Sequence, residues 1–223
     1  MRLQPVLCGC NRQTCGSSLC ETDCPLVQGG HVRPQFLPLG ALGYGQFLHR
    51  GVIAHTGTMA KLTFGELDNT RSPRVEALLA TCTAAGIDAE IADDINLAIW
   101  QKFAFLIGMS ACTTSMRSNL GPIRANPQTF AFLRDVISEA VAVGRALGVP
   151  LADDYVEQRM AFIETLPPQM TASMQGDLAR GNRLELPWLS GKVIELGKQL
   201  GVPTPLNRAV ADILALYVNR KPA

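Results

Sequence analysis

The chain has 223 residues, of which 47% are apolar and 17% are charged, and its formal net charge is +1. This length predicts one or two domains with a hydrophobic core. Scattered basic residues in a near-neutral chain argue against nucleic acid and against an anionic membrane surface as partners. No run of about eighteen apolar residues occurs, which argues against a membrane-spanning helix, and the first residues lack a signal-peptide core. We therefore expect a cytoplasmic protein.

Residues 1–50 differ in composition from the rest of the chain and show neither a period of 2 nor one of 3.6. This pattern predicts a disordered leader. Five cysteines lie in it, and their spacing fits no paired zinc motif, so no metal site is predicted. A zinc-binding leader remains a weaker alternative, with these candidate ligands: Cys8, Cys10, Cys15, Cys20, Cys24 and His31.

The glycines of residues 40–45 do not form the G-x-G-x-x-G fingerprint of a dinucleotide site, and no strand is predicted before them. The cofactor-binding residues therefore remain unassigned. From Gly51 onward the residues alternate around Thr56-Gly57-Thr58, which predicts a hairpin. Ser72 and Pro73 then begin a helix that Gly86 ends, and residues 87–94 follow as a short strand or an extended segment. This order is typical of the end of an α/β layer.

The segment from Asp94 to Asn119 is apolar on all sides of a helical projection, which predicts a helix buried by its neighbours. Asp94 is its expected N-cap. Lys102 is the single charged side chain between Ile95 and Met116. Burying an ammonium group costs several kcal/mol unless it is paired or deprotonated. Lys102 therefore either extends along its own stem to the surface or serves chemistry.

Only helices are predicted after this segment, so the fold is expected to be mainly α. Their expected bounds are Asn126 to Gly148, Asp153 or Asp154 to Leu166, Met170 to Ala179, Pro187 to Leu200, and Pro205 to about Tyr217. Two further polar positions attract attention, Ser173 and Glu185. On residue type alone, Ser173 is a capping or surface hydroxyl and Glu185 is an acid that favours a helix N-terminus.

The stretch TASMQGDLARGNRLELPWLSGKVIELGKQLGVPTPLN closely resembles the carboxy-terminal signature of the ketopantoate reductase family, the 2-dehydropantoate 2-reductases. Upstream blocks match as well, namely GVIAHTG, FGELD and the pair Trp100 and Lys102. The resemblance covers residues 51–223. Its carboxy-terminal positions are Ser173, Met174, Asp177, Gly181, Glu185, Gly191, residues 201–205 and Asn207. Several spaced blocks in one order are more specific than a single motif.

The resemblance implies an NADPH-dependent reductase of two domains, a Rossmann domain and a helical domain like that of 6-phosphogluconate dehydrogenase. Such enzymes reduce a 2-oxo acid, as in the conversion of ketopantoate to pantoate for pantothenate and coenzyme A. The implied catalytic residues are Lys102, which protonates the ketone oxygen, and Glu185, which orients the lysine. Ser173 is the implied substrate contact. A small 2-oxo acid is the implied partner, and a homodimer is a further expectation.

Two departures from the family pattern shape these expectations. Leu106 and Ser110 stand where many members carry asparagines, so a paralogue acting on another 2-oxo acid remains open. Residues 1–50 resemble no part of a nucleotide domain, so a truncated chain is expected, with residues 51–94 as a remnant of that domain and 95–223 as the substrate domain. The alternative function is a non-catalytic helical module for dimerisation or partner binding.

Overall fold

A computed structural model describes the backbone of residues 36–40, 44–49, 52–56 and 61–219, and the side chains of residues 61–219. The cysteines before residue 25 and His31, weighed above as zinc ligands, lie outside the described residues. The chain divides into two compact units, Met1–Ile95 and Asn96–Ala223. The finer boundaries expected from the sequence, at residues 50 and 94, stay a prediction.

The first unit contains two small sheets and one helix. The described elements are β1 (Phe36–Gly40), β2 (Tyr44–His49), β3 (Val52–Thr56), β4 (Leu62–Glu66), α1 (Pro73–Ala84) and β5 (Ala89–Ile91). In the three-stranded sheet, β4 lies between β1, to which it is antiparallel, and β5, to which it is parallel. Strands β2 and β3 form a separate antiparallel pair. Helix α1 is therefore the crossover of a β4–α1–β5 unit.

The predicted hairpin around Thr56-Gly57-Thr58 is wrong in its pairing. Strands do flank that position, but β3 pairs with β2 and β4 pairs with β1 and β5. Strand β1 also ends at Gly40, so a strand does precede the glycines of residues 40–45. An alternating pattern indicates an extended segment but does not identify the strand with which it pairs. Short strands that contain Gly or Pro show little alternation and are therefore hard to predict.

The start of α1 was predicted correctly because its signals are local. Ser72 is the N-cap and accepts a hydrogen bond from the Val75 amide, and Pro73 is the first helical residue. Gly86 follows the helix with a φ of 73°. The Ser72 hydroxyl also donates to Glu66, at 2.6 Å, and Glu66 is paired with Arg74. This carboxylate ties the end of β4 to the first turn of α1.

The second unit is helical, so the expected fold class, a mainly α carboxy-terminal domain preceded by a small α/β unit, is confirmed. Its elements are α2 (Ile95–Ser115), α3 (Leu120–Ala125), α4 (Pro127–Ala146), α5 (Tyr155–Thr165), α6 (Ser173–Arg180), α7 (Ser190–Leu200), α8 (Pro205–Leu214) and a 3-10 helix at Ala215–Tyr217. Helices α6 and α7 each begin three residues later than predicted.

Helix α2 packs its backbone closely against α4. A Cβ atom on Gly108 would lie 2.7 Å from Ile137 Cδ1. At Gly144, it would lie 2.9 Å from Leu151 Cδ1 and 3.2 Å from Trp100 Cδ2. The Trp100 indole therefore occupies space that a side chain at position 144 of α4 would need. These two glycines let α2 and α4 approach more closely than Cβ atoms would allow.

By length and composition alone, α2 could cross a membrane, contrary to the sequence expectation. Yet 56% of its most apolar window is buried inside the structure. Phe103, Ala104, Ile107 and Ala111 contribute to the hydrophobic core with the helices that follow. The helix therefore packs as a core helix of the helical unit, and its apolar character is used in that packing.

Glu139 of α4 holds the first turn of α8. Its carboxylate accepts hydrogen bonds from the backbone amides of Leu206, at 2.7 Å, and Asn207, at 2.9 Å. The fully buried Asn207 side chain donates to the same carboxylate at 2.8 Å and to the Val136 carbonyl at 3.3 Å. The asparagine of the GVPTPLN motif therefore joins α8 to α4.

Candidate functional site

Lys102 lies about two turns into α2 and is half-buried. Residues three and four positions away are its neighbours on a helix surface, and here they are Ala98, Ile99, Phe105 and Leu106. All four are apolar and half-buried. Burial lowers the pKa of the Lys102 ammonium from its ordinary value, because water is displaced around the charge. The amine is thereby held in surroundings that favour release of its proton.

Helix α5 packs beside this part of α2. The Tyr155 hydroxyl donates a hydrogen bond to the carbonyl of Gln101, next to Lys102, at 2.6 Å. The guanidinium of Arg159 lies over the rings of Phe105, Tyr155 and Phe162, at 5.2 to 5.7 Å from their centroids. Phe105 also meets Phe162 edge to face, with centroids 5.8 Å apart. These contacts fix Phe105, one turn beyond Lys102.

The other end of α2 carries hydroxyl groups. Thr113 is fully buried, and its Oγ1 donates to the Met109 carbonyl at 2.7 Å. The same oxygen accepts a hydrogen bond from the Ala172 amide at 3.3 Å. Ala172 directly precedes Ser173, the first residue of α6. This hydrogen bond therefore fixes the position of Ser173 relative to α2.

Ser173 is exposed at the N-terminus of α6, and Asp177 follows one turn later. The Asp177 carboxylate accepts hydrogen bonds at 3.0 Å from the side chains of Arg180 and Asn182. Gly181 between them has a φ of 66°, in the left-handed region that favours glycine. Asp177 thus closes the turn that leads from α6 towards Glu185.

Glu185 lies between α6 and α7, and its backbone carbonyl accepts from the amides of Trp188 and Leu189 at 2.9 and 3.1 Å. Its side chain is exposed at the surface, but nearby protein displaces part of its water. This desolvation raises the pKa of the carboxyl, and the negative charge of Asp177 raises it further. Burial thus favours the neutral form of both Glu185 and Lys102.

The three residues selected from the sequence occupy two neighbourhoods of the helical unit. The charge of Asp177 acts on the carboxyl of Glu185. Asp177 lies on α6, the helix that begins at Ser173. Thr113, which accepts the hydrogen bond from Ala172, shares one face of α2 with Lys102 because eleven residues make slightly more than three whole turns. Their Cα atoms stand about 16 Å apart along the helix axis at 1.5 Å per residue. The expected pairing of Lys102 with Glu185 stays a prediction.

Sequence reasoning assigned no role to Thr113, Asp177 or Arg159. Asp177 was part of the signature, but only the structure shows that its carboxylate accepts hydrogen bonds from Arg180 and Asn182. Thr113 and Ala172 are 59 positions apart in the sequence, and a local sequence pattern cannot predict a hydrogen bond over such a separation. Among residues 61–219, no cluster of three or more side chains suited to a metal ion occurs.

The helical unit matches a known family. Residues 94–218 fit the family model described as "Ketopantoate reductase PanE/ApbA C terminal". The chain belongs to this family. The match includes every residue singled out above from α2 to Glu185. The sequence-based resemblance is thereby confirmed, and several relatives of the chain are named as 2-dehydropantoate 2-reductases.

A 2-dehydropantoate 2-reductase of Mesorhizobium japonicum is 33% identical over 173 residues, which are 76% of this chain and 52% of that protein. A putative ketopantoate reductase of Ralstonia solanacearum has a similar structure, with a TM-score of 0.73 and 28% identity over 83% of this chain and 56% of that one.

A dimeric ketopantoate reductase of Staphylococcus aureus also has a similar structure, with a TM-score of 0.73 over 82% of this chain and 60% of that one. The two sequences are 20% identical, so this similarity shows the fold alone. The chain spans about half the length of the curated relatives it matches.

In the described part of the first unit, α1 connects the parallel strands β4 and β5. The turn from β4 into α1 therefore corresponds to the place where a dinucleotide-binding fold holds phosphate. A dinucleotide phosphate needs a glycine-rich turn and free amides at the helix N-terminus. Residues 67–72 contain no glycine, and the Ser72 side chain already caps the helix. The two arginines at the turn are already paired, Arg74 with Glu66 and Arg71 with Glu76. This turn does not fit a dinucleotide phosphate.

Proposed function

We propose that this chain provides the substrate side of an NADPH-dependent reductase of 2-oxo acids. The reaction is the reduction of ketopantoate to pantoate, in the supply of pantothenate and coenzyme A, or of a related 2-oxo acid. One observation carries the proposal: on the family's helical domain, a single lysine of a long core helix is half-buried among apolar side chains. A cytoplasmic location and a homodimer belong to the same proposal.

Lys102 is proposed as the general acid. Reduction of a ketone places negative charge on the carbonyl oxygen, and a nearby ammonium both stabilises that charge and donates a proton to it. Burial lowers the pKa of Lys102, so the proton is released more readily than from a surface lysine. The apolar neighbours strengthen the interaction between the ammonium and the developing charge, because they exclude water.

Ser173 and Glu185 are proposed to complete the substrate side. The exposed hydroxyl of Ser173 stands at a helix N-terminus, where backbone amides favour an anion, and a 2-oxo acid carries a carboxylate. Glu185 is proposed to orient the lysine and to support its charged form. The carboxyl is exposed, so a lysine that approaches it can pair with it, and such a pair favours the charged form of both groups.

The resemblance implies NADPH as the cofactor, whereas the described β4–α1 turn does not fit its phosphates. Titration of the purified chain with NADPH in a calorimeter tests cofactor binding directly. The second measurement is the loss of NADPH absorbance in the presence of ketopantoate. Saturable NADPH binding with turnover supports the proposal, and the absence of both contradicts catalysis by this chain alone.

Two lysine-to-alanine variants, one at the site and one as a control, test the role of Lys102. Lys102→Ala is expected to reduce turnover by about a hundred- to ten-thousandfold, the usual contribution of a general acid, with NADPH affinity unchanged. Lys198→Ala is the matched control, since Lys198 is exposed on α7. Near-normal turnover of Lys102→Ala would contradict the proposed role.

A non-catalytic helical module for dimerisation or partner binding was the alternative. Relatives with an assigned reaction are named as reductases, which does not favour it. It would gain support from a stable dimer that binds neither NADPH nor a 2-oxo acid. Sedimentation of the purified chain, together with the two titrations, separates these outcomes.

A further inference from the structure

The surface around Lys102 is apolar in both directions along α2. Ala98 and Ile99 lie one turn before the lysine, and Phe105 and Leu106 lie one turn after it. Leu106 is about 40° around the helix from Lys102, at 100° per residue, so the two side chains share a face. Leu106 is half-buried, so part of its surface faces solvent beside the lysine. A molecule that reaches the amine therefore meets hydrocarbon next to it.

Hydroxyl groups on this helix begin only farther along. Ser110 is two turns beyond Lys102 and is buried. Thr113, three turns beyond, already donates to Met109 and accepts from Ala172. The Tyr155 hydroxyl, which approaches the same part of α2, donates to the Gln101 carbonyl. Trp100 and Gln101 carry polar groups close to Lys102, but they lie about 160° and 100° around the helix from it. On the face that Lys102 shares with Leu106, within about one turn, α2 thus offers a substrate hydroxyl no side-chain hydrogen-bond partner.

We propose that the substrates of this chain are 2-oxo acids with an apolar substituent next to the ketone, and that Leu106 is the residue that selects them. The inference rests on the proposed function, because it takes Lys102 as the group that meets the ketone. A hydroxyl group on the substituent would lose its water against Leu106 without gaining a partner, which disfavours binding. A methyl group at the same place gains from burial.

Two ligands that differ by a single hydroxyl group test this inference. They are trimethylpyruvate and its hydroxylated counterpart, ketopantoate. Dissociation constants for the purified chain are measured by saturation-transfer NMR titration, which detects weak ligands and needs no turnover. Trimethylpyruvate is expected to bind about ten- to hundredfold more tightly, the range over which an apolar site rejects an added hydroxyl.

Two leucine variants make the test specific. Leu106→Asn supplies a hydrogen-bond partner beside the lysine and is expected to reduce the affinity ratio to about twofold or less. Leu216→Asn is the matched control, because Leu216 is exposed in the terminal 3-10 helix, and its ratio should equal that of the unmodified chain. Circular dichroism confirms that both variants are folded.

Each outcome has a separate meaning. Equal binding of the two ligands, or preference for ketopantoate, overturns the apolar-substituent inference and leaves the proposed function intact. An unchanged ratio in Leu106→Asn overturns the role of Leu106. Binding of neither ligand, or binding that Lys102→Ala does not weaken, contradicts the proposed function itself.

Discussion

The backbone amide of Ala172 donates a hydrogen bond to the buried Oγ1 of Thr113, at 3.3 Å. This contact joins the last turns of α2 to the residue that precedes Ser173. The same oxygen donates to Met109, so one hydroxyl group serves as both donor and acceptor. The position of a proposed substrate contact therefore depends on a core threonine rather than on the surface around it.

Thr113→Val tests this dependence, because valine keeps the shape and removes the acceptor. The partly buried Ala172 amide would lose its partner, and leaving a shielded donor unsatisfied costs up to about 1–3 kcal/mol. We expect urea unfolding to show a loss of stability in that range, together with weaker binding of a 2-oxo acid. Thr165→Val is the control, because its hydroxyl is exposed and donates only within α5. Equal stability of the two variants would contradict a special role for Thr113.

Gly144 permits the close contact between α4 and the Trp100 indole. An alanine there would place its Cβ 2.9 Å from Leu151 Cδ1, and overpacking of this kind costs about 1–3 kcal/mol. The helix preference for alanine returns up to about 1 kcal/mol, so a net destabilisation is expected for Gly144→Ala.

Gly176→Ala, in α6, is the matched control for Gly144→Ala. A Cβ at Gly176 would meet the guanidinium of Arg180, at 3.0 and 3.1 Å, and this exposed side chain can rotate away at the cost of one exposed hydrogen bond to Asp177. We expect Gly176→Ala to be neutral or stabilising by up to about 1 kcal/mol. Urea unfolding of both variants decides the comparison, and a loss of stability is expected only for Gly144→Ala.

Glu139 and Asn207 are expected to act as one unit. Glu139→Ala removes the acceptor of two backbone amides and one side-chain amide at the start of α8, with an expected loss of about 1–3 kcal/mol. Asn207→Ala should cost a similar amount, and the double variant should cost less than the sum. Glu195→Ala, at an exposed glutamate of α7, should change stability by no more than about 0.5 kcal/mol. Additive losses would show that the two residues act independently.

The features that the sequence predicted well are local. Ser72 and Pro73 at the start of α1, and Asn126 and Pro127 at the start of α4, carry their capping partners within three residues. The burial of α2 also follows from a single helical pattern, whereas that pattern left open whether Lys102 reaches the surface. Strand pairing could not be predicted in this way, because β3 and β4 are neighbours in sequence yet belong to different sheets.

The same distinction separates the parts of the candidate site. Lys102, Ser173 and Glu185 were selected because they match a family signature with fixed spacing. The contacts that hold the surrounding helices join residues far apart in sequence, with separations of 59 for Ala172 and Thr113 and 68 for Asn207 and Glu139. Such contacts depend on how helices pack, and residue spacing alone does not contain them.

The raised pKa of Glu185 gives a prediction about pH. Below its ordinary value of 4.5, the carboxyl is protonated in both folded and unfolded chains and its environment costs nothing. As pH rises through the raised folded pKa, the unfolded chain ionises first, so the folded state loses stability. Glu185→Gln should therefore be slightly more stable than the unmodified chain at neutral pH and equal to it below 4.5. Thermal unfolding across this range checks the trend, and a variant that is less stable at neutral pH would contradict it.

Lys102 gives the opposite dependence on pH. Its folded pKa is lowered, because below that pKa the folded chain carries a charge that burial disfavours. As pH rises through the folded pKa towards the ordinary value of 10.5, the folded chain releases its proton first and gains stability. Lys102→Met keeps the apolar stem without the charge, and we expect it to be more stable than the unmodified chain at neutral pH.

This difference between Lys102→Met and the unmodified chain should shrink as pH approaches 10.5. Lys198→Met, at an exposed lysine, should show no such trend. If Lys102→Met also abolishes turnover, the chain keeps a destabilising lysine for the sake of catalysis, a trade of stability for activity that is common at functional sites. A Lys102→Met chain that is less stable at every pH would instead show that the ammonium supports the fold, and Lys102 would then be a structural residue.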